Sequence, residues 1–511
     1  MVAIRRVPAL TRRSVLRGIA SGAAGLAVGP GCCGCGPQSD VVVIVGAGAA
    51  GIGAALALQE AGRPYQIFEA GSSVGGRAFT DMTTFATPFD VGCAWIHGDD
   101  DIFNNNSMMQ TVDKWKRQRR WQSETFDKGD WDYHDCEALE FDEVSYGCVA
   151  EARVDRSKVK DDLQKAEKDF KAAIKAELEK RKPGDIPVGQ VVKDWRWPMD
   201  VVASAMGPMD AGVDLYNLSA ADSAATGNYA HNVLVKNGYG TVIRLLANGL
   251  PADRLHCNTR VTEIRSSGAG TVRVTTDRAG EVEAGAVIVT VSTGVLAHGD
   301  ITFGDGDKDG LPKDHRHAIA NLPMGLLAKV PLLVPNIGKM LESKNPPIKQ
   351  FDNVISQRSD LQNIYFLVCP FNDNLVVGFV GGDFAWNLAR KVPVVSQGEQ
   401  PPRKAVEKVR KEAVDLVRQR LAGLVGCDLQ IDPDNGYLTD WGWNPLTRGA
   451  YAAPKPGGFA ARKTLRTPAF GRIYFAGEAV AEGGWHATCH GAYDSGQKVA
   501  KDVMAMLHHP A

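Results

Sequence analysis

A run of five apolar residues, Val41 to Val45, passes straight into Gly46-Ala47-Gly48-Ala49-Ala50-Gly51, and this junction constrains the chain more than any other. The run reads as a buried strand of a parallel sheet. An Ala/Leu-rich helical pattern follows, then a short strand from Tyr65 to Phe68 that ends at Glu69. Strand, glycines, helix, strand and acid in that order make a βαβ dinucleotide-binding unit. Gly46 permits the tight turn, Gly48 lets the backbone approach a pyrophosphate, and Gly51 lets helix and strand pack closely. The helix N-terminus faces the phosphates. Glu69, eighteen residues after Gly51, can accept hydrogen bonds from a ribose hydroxyl. The unit implies a dinucleotide without choosing between NAD and FAD.

At 511 residues the chain can bury a large core, and two domains are expected. A net charge of −1 with 23% charged residues gives no reason to expect nucleic acid. No run of 18 or more apolar residues occurs, so no transmembrane helix is expected. Thr11-Arg12-Arg13-Ser14-Val15-Leu16-Arg17, followed by an Ala/Gly stretch from Ile19 to Val28, resembles a twin-arginine export signal. That predicts a periplasmic or secreted protein. Gly31-Cys32 is a candidate lipidation point, but Gly29 stands where a lipobox wants leucine, so no lipid anchor is expected. Of ten cysteines, Cys32, Cys33 and Cys35 cluster at the end of the signal. The other seven are scattered with no metal-site spacing, and Cys136 with Cys148 is a candidate disulfide.

Along the chain, 156–182 carries apolar residues at helical spacing, which predicts a helix with a solvated charged face. A helix is expected from Val242 to Leu250 and another from Lys404 to Ala422. Strands are expected at 261–264, 271–276, 286–291, 326–334 and 375–381. Asp305-Gly-Asp307-Lys-Asp309-Gly310 has the start of a calcium loop but Arg316 at its twelfth position, so a solvated turn is expected.

Further motifs select the cofactor. Val74-Gly75-Gly76-Arg77 follows Glu69, then come 90–98 (DVGCAWIHG), 441–451 (WGWNPLTRGAY), 471–478 (GRIYFAGE) and 484–492 (GWHATCHGA). In this order they resemble the flavin-containing amine oxidase family, which includes monoamine and polyamine oxidases, L-amino-acid oxidases and flavin-type demethylases. The resemblance covers nearly all of the chain after about residue 40. It implies an α/β fold: a Rossmann-like FAD-binding domain of the GR2 type, interleaved with an α+β substrate-binding domain. Residues 1–37 would be signal and linker. Segments 38–98, 226–299 and 431–511 would form the FAD-binding domain, and 99–225 with 300–430 the substrate domain.

Amine oxidation needs a hydride-equivalent to pass from the carbon beside nitrogen to flavin N5, so the cofactor carries the electronic burden. The protein must position the amine, exclude water and favour the free base, which a desolvated aromatic pocket does. Lys329 stands inside the apolar strand pattern Met324-Gly-Leu-Leu-Ala-Lys329-Val330, where a charge without a role is costly. The resemblance makes it the lysine that holds a water at flavin N5 for reoxidation by oxygen. It also makes Tyr451 one wall of an aromatic cage and Trp441 a lining residue. Thr488 stands where monoamine oxidases have the second cage tyrosine, which implies a pocket open to bulkier amines. His97 matches a histidine of the substrate tunnel in animal-type polyamine oxidases, and His490 is expected to be structural. Gly75, Gly76, Arg77, Trp95, Gly477, Glu478, Ala487 and Thr488 would contact the cofactor, and the Val261 backbone its adenine. Ala450 replaces the cysteine that bonds the flavin in monoamine oxidases, so FAD is expected to bind non-covalently. Gly71 and Ser73 replace two family arginines.

The expected reaction converts a polyamine or other bulky amine to an imine, which water hydrolyses, with oxygen reduced to hydrogen peroxide. An L-amino-acid oxidase is the nearest enzyme alternative, though no Met-Arg pair lies near Gly92 to supply a carboxylate-binding cation. A dehydrogenase with an electron-acceptor protein is another, and a flavin-bound interaction protein with little turnover a more distant one. A homodimer is left open.

Overall fold

The computed structural model describes residues 40–508 apart from 86, 99–105, 118–132, 137–143, 146–155, 183, 197, 228–230, 268–269, 345–346, 357–361 and 432–436. The export signal, Cys32 and the Cys136–Cys148 pairing lie outside the described residues. Among the described residues no helix is long and apolar enough to cross a membrane.

In chain order the elements that build the site begin with β1 (Val42–Val45), α1 (Ala49–Glu60), β2 (Tyr65–Phe68), β3 (Trp95–Gly98) and α2 (Arg156–Lys180). Then come β4 (His231–Val235), α3 (Tyr239–Asn248), β5 (Leu255–His256), β6 (Val261–Ser266), β7 (Val272–Thr276) and β8 (Ala286–Val289). The chain continues through β9 (Leu327–Leu333), β10 (Asn353–Ser356), β11 (Ile364–Val368), β12 (Leu375–Gly381) and α4 (Arg403–Val425). It closes with β13 (Ile473–Phe475) and α5 (Cys489–His508).

A five-stranded parallel sheet runs in the order β13-β8-β1-β2-β5, with Ile44 opposite Ile67 on one side and Ile288 on the other. Its strands come from three distant stretches of chain, within 38–98, 226–299 and 431–511. Val42 and Ile44 pack into one apolar cluster with Ile52 and Tyr493, and Val43 and Val45 into another with Val261 and Ile264. Both faces are therefore buried, which is why β1 is apolar without alternation. α1 has buried residues from Ala49 through Leu58 on every side, as expected of a helix in a protein interior. It lies directly against α5, where a Cβ on Gly496 would meet the Ala50 carbonyl oxygen at 1.9 Å.

The second sheet joins β9, β12, β11 and β10 in antiparallel order, with Val144–Ser145 parallel at its end. α4 buries Val409, Ala413, Val417, Leu421 and Leu424 in the cluster that contains this sheet. α2 buries Leu163, Phe170 and Ile174 there, while Lys165, Lys168, Asp169, Lys171 and Lys175 are exposed, so this stretch presents a solvated charged face. At 302–309 the strands Thr302–Asp305 and Lys308–Asp309 pair around Gly306, so the stretch is a hairpin turn.

Several element bounds shift by one to three residues from expectation, and one shift has a visible cause. α3 begins at Tyr239, not Val242. Gly238 adopts φ 84° at the start, and the Asp90 carboxylate accepts Tyr239 N at 2.9 Å and Gly240 N at 3.4 Å. The capping acid is distant in sequence, so no local pattern reveals it.

The Gly46–Gly51 junction has no slack. A Cβ on Gly51 would lie 2.0 Å from the Gly46 carbonyl oxygen. Gly51→Val must separate α1 from β1, at a cost of about 3 kcal/mol or more. Purified Gly51→Val protein is expected to show a visible-to-280 nm absorbance ratio far below wild type, and an unchanged ratio would sink the close-packing argument.

Candidate active site

The site lies at the carboxyl ends of the parallel strands, where open α/β sheets receive ligands. Gly46 turns with φ 105°, and α1 then starts with Gly48 as its N-cap. A second glycine loop meets the first: Gly48 bridges to Gly75, and Gly75 N donates to the Ala47 carbonyl at 2.9 Å. A Cβ on Gly48 would have only the Gly75 carbonyl oxygen nearby, at 3.8 Å. The cradle therefore has an open approach, and the first N–H groups of α1 lack helical acceptors. At its edge, Glu69 accepts Ala47 N and Gly71 N, each at 2.7 Å, one on each carboxylate oxygen. Burial pushes its pKa up. Each oxygen keeps lone-pair capacity for a further donor such as a ribose hydroxyl. Val261 opens β6 close by, because Thr259 N donates to the Glu69 carbonyl at 2.8 Å. These features fit a dinucleotide.

Arg77 and Glu478 form an ion pair at 2.8 Å. Arg77 also donates to the Ala450 carbonyl, and Glu478 accepts Ala452 N at 3.1 Å, so Tyr451 is held between two clamped neighbours. Gly477 turns with φ 144°, and Ala487 N reaches the Glu478 carbonyl at 3.4 Å. Arg77, Gly477 and Glu478 line a cavity with Ser292 and Thr293, beyond the ends of β8 and β13.

Lys329 sits in β9 opposite Phe379 of β12 and is 6% exposed. Its Nζ donates to the Asp90 carbonyl at 2.7 Å and the Gly92 carbonyl at 2.6 Å. The Val91 carbonyl between them accepts Trp441 Nε1 at 3.1 Å. One short turn thus anchors both predicted residues. The rings of Phe89, Trp95 and Phe379 surround the ammonium at 5.7–5.8 Å. Desolvation lowers the Lys329 pKa to about 8 against the pull of Asp90. Burial raises the Asp90 carboxyl to about 6, although Thr80 and two backbone N–H groups bond it. An ammonium has three donors and two are used, leaving one for a water or another acceptor.

Tyr451 donates its hydroxyl to the Met209 carbonyl at 2.6 Å, and burial holds its pKa well above the usual phenol range. The Thr488 hydroxyl is engaged in the backbone around it. It donates to the Trp485 carbonyl at 2.7 Å and accepts Gly491 N at 3.0 Å, so it caps the start of α5. His97, in β3, has the ring of His490 6.4 Å away. The structure brings the predicted residues together through one segment, 75–97. It carries the second glycine loop, Arg77, the carbonyls that hold Lys329 and Trp441, then Trp95 and His97.

Three features were missed. Asp90, which caps α3 beside Lys329, carries only the weak signal of an acid within a motif. The buried pair Arg462–Asp222 gives no sequence signal, since its partners are far apart. The Cys93 and Cys489 thiols are neighbours, close enough for Cys489 and burial together to push the Cys93 thiol well up, although their numbers suggest no relation.

Comparisons with known proteins agree with this geometry. Residues 49–504 match the family model for flavin containing amine oxidoreductase. Polyamine oxidase 4 of Oryza sativa subsp. japonica is 28% identical over 487 residues, spanning 90% of this chain and 88% of the relative. Polyamine oxidase 2 of Arabidopsis thaliana is 25% identical, spanning 91% and 88%. A solved structure of wild-type putrescine oxidase bound to putrescine has the same fold, with a TM-score of 0.65, 19% identity and coverage of 92% of this chain and 99% of that one.

Proposed function

The chain belongs to the flavin containing amine oxidoreductase family, and on that premise we propose that it oxidises a polyamine or a similarly bulky amine and passes the electrons to oxygen. FAD, when bound, accepts a hydride-equivalent from the carbon beside the substrate nitrogen. The residues around it do the rest. The two glycine loops and Glu69 would hold the adenosine and pyrophosphate, with the Val261 backbone at the adenine. Arg77, Gly477, Glu478 and Ala487 would hold the flavin end, with Trp95 beside it. Ala450 offers no nucleophile, and its carbonyl is occupied by Arg77, which supports non-covalent binding. Segments 38–98, 226–299 and 431–511 would form the FAD-binding domain, and 99–225 with 300–430 the substrate side. Tyr451, Trp441 and His97 would line the amine pocket. Thr488 would contribute only its methyl side, because its hydroxyl is engaged in the α5 cap.

The observation that carries the reading is Lys329. An ammonium is held in an aromatic box by two carbonyls, with one donor to spare, in the segment that also supplies the dinucleotide cradle. Such an arrangement is costly as mere packing and useful for holding a water or stabilising negative charge. The relatives that act on polyamines by name support the substrate class. The twin-arginine pattern at 11–17 supports export to the periplasm or beyond.

Anaerobic mixing with polyamines, monoamines and L-amino acids tests this directly. Polyamines are expected to bleach the flavin absorbance, and admitted oxygen to restore it with release of hydrogen peroxide. Bleaching by L-amino acids alone would overturn the substrate class. Bleached enzyme that oxygen fails to restore would make the protein a dehydrogenase.

A further inference from the structure

His490 is 2% exposed, yet neither ring nitrogen has a hydrogen-bond partner. Buried polar groups are nearly always satisfied, so an orphaned imidazole calls for an explanation. The Trp485 ring meets it edge-on at 4.4 Å, and the His97 ring lies 6.4 Å away at 53°. Desolvation and the neighbouring His97 push its pKa down to about 3. The imidazole is therefore neutral at physiological pH, with one nitrogen to donate and one to accept.

The position of this ring is set by two elements. His490 stands in the first turn of α5, which Ala487 ties to Glu478, and Glu478 in turn holds the strand of Tyr451. His97 comes from β3, where alternation puts Trp95 and His97 on one face and buries Ile96 on the other. The Trp95 ring is 5.7 Å from Lys329 Nζ. One strand face thus leads from Lys329 past Trp95 to His97 and on to His490. Two residues of strand advance about 6.7 Å, the scale of a short methylene spacer between two nitrogens.

We propose that His490, beside His97, binds a second nitrogen of the substrate, one that stays protonated while the carbon next to another nitrogen is oxidised. This rests on the amine-oxidising reading above and names what that site selects. A neutral imidazole accepts a hydrogen bond from an ammonium, and the Trp485 ring adds a cation–π contribution. A monoamine leaves the ring as unsatisfied as it is now, so the site distinguishes diamines and polyamines from monoamines of equal length.

The test compares wild type, His490→Leu and His490→Asn as flavin-loaded enzymes. Each is reduced anaerobically by a linear diamine and by the n-alkyl monoamine of the same length. Calorimetry on the fully reduced enzyme gives the diamine Kd without turnover. Expected for His490→Leu is a KM and Kd for the diamine raised about 10- to 100-fold, with a limiting bleaching rate within about threefold and monoamine kinetics unchanged. His490→Asn, which keeps an acceptor, is expected to recover part of the loss. Equal losses for both amines would overturn the proposal. So would an altered flavin content or visible spectrum in His490→Leu, since His490 would then serve the cofactor or the fold. Failure of wild type to bleach with any amine would instead remove the parent reading.

Discussion

Asp222→Ala is expected to destabilise the protein by about 3–5 kcal/mol, because it strands a buried guanidinium. Arg462 and Asp222 are 2% and 4% exposed. They pair through two bonds, Nε to Oδ1 at 2.7 Å and Nη2 to Oδ2 at 3.0 Å. Arg462 also donates to the Ala479 carbonyl at 2.8 Å and the Ala452 carbonyl at 3.0 Å. The pair thereby ties the helix containing Asp222 to the two backbone stretches that position Glu478 and Tyr451. His486 lies 3.6 Å from the same carboxylate, and burial lowers its pKa, so near neutrality it adds no second cation to the stranded guanidinium. Removing the carboxylate leaves Arg462 with no other ion-pair partner among the described residues. Urea titration should show a lower midpoint, and the variant should lose flavin on dilution more readily than wild type. The double variant Asp222→Leu/Arg462→Met should recover most of the stability, since an apolar pair in place of a buried ion pair is often neutral. A single variant as stable as wild type would show that the pair contributes nothing beyond its neighbours' packing.

This pair also marks where sequence reading stops. The βαβ unit was legible because its determinants are contiguous: an apolar strand, three glycines, a helix and an acid at fixed spacing. The Leu375–Gly381 strand and the α2 helix were legible for the same reason, their periodicity being local. The site itself was legible as separate motifs, and Lys329 stood out as a charge where burial forbids one. What joins the motifs was not legible. The carbonyls of Asp90 and Gly92 carry no side-chain signal, yet they fix the lysine. The Asp90 carboxylate sets the start of a helix 149 residues later. Thr488 aligned with a pocket wall, but its hydroxyl answers first to the helix it caps. That both His490 ring nitrogens lack partners is a property of its surroundings, not of its letter. Tertiary hydrogen bonds, unlike periodicity, leave no trace in neighbouring residues.

Lys329→Met is expected to slow reoxidation by oxygen about 100-fold while leaving anaerobic bleaching by the amine within a few-fold of wild type. The lysine's free donor is its only group available to a water or to developing negative charge, and methionine fills the volume without it. Folding should tolerate the change. The Lys329 pKa is lowered to about 8 from 10.5, so burial disfavours the charged form. The ammonium therefore weakens the fold at pH below about 8, and that penalty eases as pH rises from about 8 to 10.5. Removing it relieves that cost, although the Asp90 and Gly92 carbonyls lose their donor. The same shift sets a pH dependence for wild type. If the cationic form assists oxygen, reoxidation is fast below about pH 8 and falls above it as the ammonium loses its proton. Lys329→Arg separates charge from proton loss, because a guanidinium stays charged throughout. It should retain part of the rate and lose the fall near pH 8. Stopped-flow mixing of photoreduced enzyme with oxygenated buffer from pH 6 to 10 reads all three proteins. A wild-type profile flat across that range, or a Met variant that reoxidises at the wild-type rate, would strip Lys329 of the role and leave it a buried charge held only by its carbonyls.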